Sequence, residues 1–154
     1  MNTLRFSSLF LILLLASTVS CKKKKVIDQS TEDHNIITKY ISDNHLNAQQ
    51  GSDGLYYVIT TQGTGAQPNI NSKVTVSYKG YLTNGNVFDQ SSSSGATFNL
   101  SGVIKGWQEG IPLFKKGGVG KLLIPSALGY GDQAQNGIPA NSVLIFDINL
   151  LNVQ

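Results

Sequence analysis

Histidine and cysteine are almost missing from this chain: of 154 residues, two are histidine and one is cysteine. The lone Cys21 rules out an intrachain disulfide. His34 and His45 both precede the strand-rich part of the sequence. No Ser/His/Asp or Cys/His set can therefore assemble within that part, and a zinc cage has no ligands there. Charge is thin as well, at 14% of residues, and no spacing of the acids suggests a carboxylate pair for glycoside hydrolysis. Residues 26–154 carry seven lysines and no arginine against nine acids, a balance that argues against a nucleic-acid-binding surface. Gly117-Gly118-Val119-Gly120-Lys121 hints at a phosphate loop but lacks its essentials. Leu122 stands where Ser or Thr must hold magnesium, and Lys115 stands where the first glycine belongs. An enzyme built on this chain works without a nucleophile, a metal or a cofactor.

A long hydrophobic run is also lacking. The apolar stretch Leu9 to Ala16 follows Arg5 and is too short to span a bilayer comfortably. It ends in Ser17-Thr18-Val19-Ser20-Cys21, so residues 1–20 read as an export signal. Small residues before a cysteine resemble a bacterial lipoprotein signal, in which Cys21 is cut free and lipidated; Thr18 replaces the leucine usual three residues before it. Stable anchoring needs more than one acyl chain. Lys22 to Lys25 suit anionic headgroups, at about 1 kcal/mol per residue near such a surface, or form a merely solvated tether. Residues 21–33 are expected to be the lipidated cysteine and a flexible tether that reaches on the order of 40 Å. The expected location is the cell envelope, on the periplasmic face of the outer membrane.

What is present begins with a helical pattern. Ile36, Ile37, Tyr40 and Ile41 recur at helical spacing between Asp33 and Asn47, with Asp33 available as N-cap. A short N-terminal helix over residues 34–50, packed on its own domain, precedes a domain over residues 51–154. From Leu55 the period becomes two. Leu55 to Thr60 makes a first strand, and Lys73 to Tyr78 alternates, with Val74, Val76 and Tyr78 on one face. Thr83-Asn84-Gly85-Asn86 marks a hairpin turn. Val87-Phe88 starts the return strand, Ser91 to Gly95 forms a loop or bulge, and Thr97 to Leu100 follows. Trp107, Ile111 and Phe114 share one face of a helix that Gly110 and Pro112 limit to about two turns. Val119 to Ile124 and Val143 to Leu151 read as strands around a long, turn-rich loop. The sum is an α+β arrangement, an antiparallel and strongly twisted sheet wrapped on one short helix.

Five fragments in order carry a family likeness: Val76-Ser77-Tyr78-Lys79-Gly80, Val87-Phe88-Asp89, Val103-Ile104-Lys105-Gly106-Trp107-Gln108-Glu109-Gly110, Gly129-Tyr130-Gly131 and Val143-Leu144-Ile145-Phe146-Asp147. Their order and spacing resemble the FKBP-type peptidyl-prolyl isomerases in their bacterial lipoprotein form, from about Gly54 to Leu151. The resemblance implies an FKBP-like fold and an aromatic pocket that accelerates rotation about the X-Pro bond. It makes Trp107 the floor under proline and Tyr78, Phe88 and Phe146 the walls. Val103 and Ile104 form the rim, with the Ile104 amide donating to a substrate carbonyl. Tyr130 donates its hydroxyl near the residue before proline, Asp89 accepts from Tyr78 at the pocket edge, and Ile138 closes the far side.

The same resemblance implies proline-containing polypeptides as substrates and macrolides of the FK506 or rapamycin type as possible inhibitors. The membrane partner is reached through lipid on Cys21, and nucleic acid is not a partner. The alternative is a non-catalytic chaperone or peptide-binding module with the same pocket. Two departures bear on preference. The Ser91–Gly95 loop lacks an arginine to pair with Asp89, and Ala96 replaces a further aromatic, which would leave that wall open.

Overall fold

The computed structural model describes residues 28–154; the expected export signal, Cys21 and most of the expected tether lie outside the described residues. The first element, α1 (Gln29–Asp43), starts earlier than its apolar spacing suggests. Its N-cap is Asp28, whose side chain accepts from the Thr31 amide at 3.1 Å. Asp33 is therefore not the cap. It lies inside the helix on the face turned toward the domain, and is buried.

Seven strands follow: β1 (Gln49–Gln50), β2 (Tyr56–Thr61), β3 (Lys73–Leu82), β4 (Val87–Gln90), β5 (Ala96–Asn99), β6 (Val119–Ile124) and β7 (Leu144–Val153). A short helix, α2 (Lys105–Gly110), sits between β5 and β6 and continues into a 3-10 turn at Ile111–Leu113. The sheet runs β1-β2-β6-β7-β3-β4, with β5 also on β3, and every pairing is antiparallel. Long β3 serves as the spine. One of its edges takes all of β7, and the other takes β5 beside Lys73–Val76 and β4 beside Lys79–Tyr81.

Alternation puts Val74 and Val76 of β3 on the inner face with Leu144, Phe146, Ile148 and Leu150 of β7, and all six are buried. They meet Trp107, Ile111 and Phe114 from the α2 side in one core. Gly106 and Gly110, one helical turn apart, let α2 press on the sheet. A Cβ on Gly106 would lie 2.4 Å from Ile124 Cγ2, and one on Gly110 2.7 Å from Leu122 Cδ1. This close seating fixes the height of Trp107 between them.

The outer face is covered in part by α1. Ile37 packs there with Leu123 and Val143, flanked by Ile36, Tyr40, Ile41, Leu46 and Tyr56. Beside that cluster, Lys121 bonds Asp147 and the Tyr81 hydroxyl, and Tyr81 donates to Asp147 at 3.2 Å. Burial, chiefly, pushes the hydroxyls of Tyr40 and Tyr81 from 10.0 to about 12. A raised phenol favours the protonated folded state. The associated stability is complete below the unfolded value and is lost as pH rises through the folded one. Denaturant melts between about pH 10 and pH 12 should therefore show stability falling. Tyr40→Phe/Tyr81→Phe should flatten that fall, and an unchanged slope would exclude these two residues as its source.

Candidate active site

The inner face opens at the end where α2 begins. A cavity of about 290 Å³ is lined there by Tyr78, Asp89, Phe98, Gly102, Val103, Ile104, Trp107, Tyr130 and Phe146. Trp107, only 4% exposed, is its centre. Its indole meets Tyr78, Phe98 and Phe146 at centroid distances of 5.1, 5.5 and 5.4 Å, each within about ten degrees of perpendicular. Edge-to-face contacts of this kind suit the ring quadrupoles and leave the walls upright around a hollow. The indole N–H is buried without a protein partner among the described residues.

The strands supply the walls by register. Tyr78 on β3 and Phe146 on β7 lie two pairs apart, since Tyr78 faces Ile148 and Gly80 faces Phe146. Phe98 on β5 is opposite Val74. Successive residues of a flat strand point to opposite faces, yet Phe88 packs on the Phe146 ring while its neighbour Asp89 lines the cavity beside Tyr78. A bulge resolves the conflict. Gly80 pairs with Asp89 but Tyr81 pairs with Val87, which leaves Phe88 as the extra residue. Asp89 then accepts from the Tyr78 hydroxyl at 2.6 Å, while the Phe88 ring meets Phe146 edge-on at 5.5 Å. Burial, followed by the Asp89 hydrogen bond and charge, holds the Tyr78 hydroxyl well above the usual phenol range. It remains a donor at every physiological pH.

The rim comes from the α2 start. Ile104 is the N-cap residue in extended conformation, so its own N–H stands outside the helical ladder. Gln108 Nε2 donates to the Val103 carbonyl at 2.7 Å and fixes the approach. Tyr130, 39% exposed, stands on the opposite rim between Gly129 and Gly131. Both glycine amides donate to the Ser126 carbonyl, at 2.9 and 2.8 Å, so a closed turn presents the ring.

Of the residues singled out in the sequence, Tyr78, Asp89, Val103, Ile104, Trp107, Tyr130 and Phe146 converge on the cavity. Phe88 and Ile138 do not line it. Phe88 backs the Phe146 wall, and Ile138 is buried in the main core. Phe98 and Gly102 do line it and were not foreseen. Phe98 stands on the same face of β5 as Ala96, two residues on, so the wall expected to be open carries a ring after all. The signal was the alternation itself: two apolar residues, Ala96 and Phe98, spaced by one threonine.

Residues 64–151 match the FKBP-type peptidyl-prolyl cis-trans isomerase family. The chain belongs to that family. The FKBP-type isomerase FkpA of Buchnera aphidicola subsp. Schizaphis graminum is 43% identical over 137 residues, covering 84% of this chain and 54% of that one. FkpA of Escherichia coli strain K12 is 47% identical over 105 residues, covering 67% and 39%. The chain thus spans about half or less of the length of these relatives. The crystal structure of FkpA from Escherichia coli superposes with a TM-score of 0.69 at 37% identity, covering 82% of this chain and 62% of that one. A peptidyl-prolyl isomerase from Pseudomonas syringae pv. tomato superposes at 0.73 with 30% identity, covering 82% and 93%. The FKBP-like fold is thereby established; α1 precedes residues 64–151.

Proposed function

We propose that this FKBP-family chain is a peptidyl-prolyl cis-trans isomerase acting on exported polypeptides. The observation that carries the reading is the convergence of Tyr78, Phe98, Trp107 and Phe146 on one small hollow. Rotation about a peptide bond faces a barrier of ~18–20 kcal/mol from amide resonance. For X-Pro the end states lie close in energy, so only the barrier needs lowering. A site does this by binding the twisted amide better than either planar form. Twisting removes resonance and draws negative charge off the carbonyl oxygen. A ring-lined, water-poor hollow disfavours the more polar planar form, and its flat walls grip the pyrrolidine ring. The Ile104 amide and the Tyr130 hydroxyl hold the flanking carbonyls. Tyr78, tied to Asp89, keeps its ring upright.

The test is acceleration of a proline-limited refolding reaction and of an X-Pro peptide by the purified chain, with and without an FK506-type macrolide. Acceleration that the macrolide suppresses supports the reading. Peptide binding without acceleration would favour a non-catalytic chaperone with the same pocket.

We also propose that Cys21 is lipidated after removal of residues 1–20 and holds the domain at the periplasmic face of the outer membrane. Support comes from the small residues before Cys21 and the Lys22–Lys25 run. With α1 starting at Gln29, the proposed tether would be residues 22–28. Residues 22–28 reach at most about 25 Å. In a Gram-negative host the chain should fractionate with membranes and incorporate labelled palmitate, and Cys21→Ser should do neither. An unlabelled, soluble wild type would remove the lipid from the proposal.

A further inference from the structure

Asp33 is a charged residue that the pocket does not explain. It is 1% exposed, on a helix outside the residues that match the family, yet it is fully engaged. Its Oδ2 accepts from the Ser126 amide at 2.7 Å and from the Ser126 hydroxyl at 2.6 Å, and its Oδ1 accepts from Gln29 Nε2 at 2.7 Å. Ser126, also 1% exposed, is the residue whose carbonyl takes the Gly129 and Gly131 amides on either side of Tyr130. Asp33 thus holds the amide and hydroxyl of the same residue whose carbonyl closes the Tyr130 turn. The turn is pinned at its far end as well, where the Asn141 amide donates to the Gly131 carbonyl at 2.7 Å.

We infer that Asp33 is a positioning residue, through which the N-terminal helix sets the Tyr130 hydroxyl over the pocket. A buried carboxylate has to be matched by donors, and here the donors are on the loop that bears a pocket residue. Without the carboxylate, the buried Ser126 amide and hydroxyl lose their partner, and the turn gains freedom to shift. A displacement of about 1 Å at a group that orients substrate can cost a large factor in rate. The inference rests on the isomerase reading for its kinetic consequence, but the clamp itself can be measured apart from catalysis.

The experiment uses the full chain and four variants, Asp33→Ala, Asp33→Asn, Tyr130→Phe and Asp33→Asn/Tyr130→Phe. Asp28→Ala serves as control, because it removes the α1 cap without touching Ser126. Hydrogen exchange by NMR should show the Gly129 and Gly131 amides losing on the order of tenfold protection in Asp33→Asn. Asp28→Ala should lower the melting temperature and leave those amides and kcat unchanged. With an X-Pro peptide, Asp33→Asn should lower kcat on the order of tenfold with KM little altered. The loss should largely vanish in the Tyr130→Phe background, where there is no hydroxyl left to place. Should Asp33→Ala fail to fold, Asp33→Asn carries the test, because it keeps one oxygen but removes the negative charge that strengthens both Ser126 hydrogen bonds. Unchanged exchange at Gly129 and Gly131 overturns the clamp whatever the kinetics. Intact kcat in Asp33→Asn, or an undiminished loss in the double variant, overturns its role in positioning Tyr130. A wild type that accelerates nothing, with exchange lost as expected, would instead sink the isomerase reading and leave the clamp standing.

Discussion

Trp107→Ala is expected to abolish catalysis and to remove about 3–5 kcal/mol of stability, the usual cost of emptying a buried tryptophan site. Trp107 touches both sides of the problem: three ring contacts tie it to the walls, and it is buried in the main core. A fall in melting temperature on the order of 10–20 °C follows from that loss for a domain of this size. Since domains are stable by only about 5–15 kcal/mol, activity lost in the alanine variant alone would be ambiguous. Trp107→Phe separates the two effects. It keeps an aromatic face on the floor while shrinking it, so the fold should survive with a smaller loss. Acceleration should still drop on the order of tenfold, about 1.4 kcal/mol of transition-state binding. Thermal melts and isomerisation rates on both variants check this. A Trp107→Phe protein as fast as wild type would show that the floor need not be an indole.

Gly80→Ala should have the next largest effect, through the same walls. Gly80 lies on β3 opposite Phe146 and beside the bulge that carries Phe88. A Cβ there would stand 2.6 Å from Phe88 Cε2 and 2.7 Å from Phe146 Cε1, closer than packed atoms allow. The two rings, which meet edge-on, would have to part. Overpacking of this kind costs about 1–3 kcal/mol, and the displaced Phe146 would narrow or tilt the hollow. The expected result is a stability loss in that range with a drop in rate on the order of tenfold. Phe88→Leu added to Gly80→Ala should recover part of both losses by freeing space beside Phe146. No recovery would mean that Phe146 alone bears the clash.

Much of this arrangement was readable from the chain because its determinants are local. Alternation in β3 and β7, the one-sided Trp107, Ile111 and Phe114, and the Asn84-Gly85 turn each follow from neighbours a few residues apart. At that turn only Gly85 takes a positive φ, +88°, while its amide bonds the Leu82 carbonyl, so the glycine closes the hairpin rather than both central residues. What was not readable depends on distant partners. An aspartate before an apolar helical run looks the same whether it caps the helix or is buried. Asp33 is settled by Ser126, 93 residues away. Phe88 likewise reads as a wall residue, but its ring packs edge-on against Phe146 of distant β7, outside the cavity lining. Phe98 shares the Ala96 face of β5, and its place in the wall follows only once β5 pairs with β3.

The most direct measurement is NMR exchange spectroscopy on an X-Pro peptide, following cis-trans interconversion with the chain present, in light and heavy water. Rotation eased by a dry ring-lined hollow moves no proton in its slow step. The exchange rate should therefore rise with added protein, stay level between about pH 6 and pH 8, and be nearly the same in both solvents. A steep pH profile or a large solvent isotope effect would mean that proton transfer limits the rate. That result would contradict catalysis by the pocket of Trp107, Tyr78, Phe98 and Phe146.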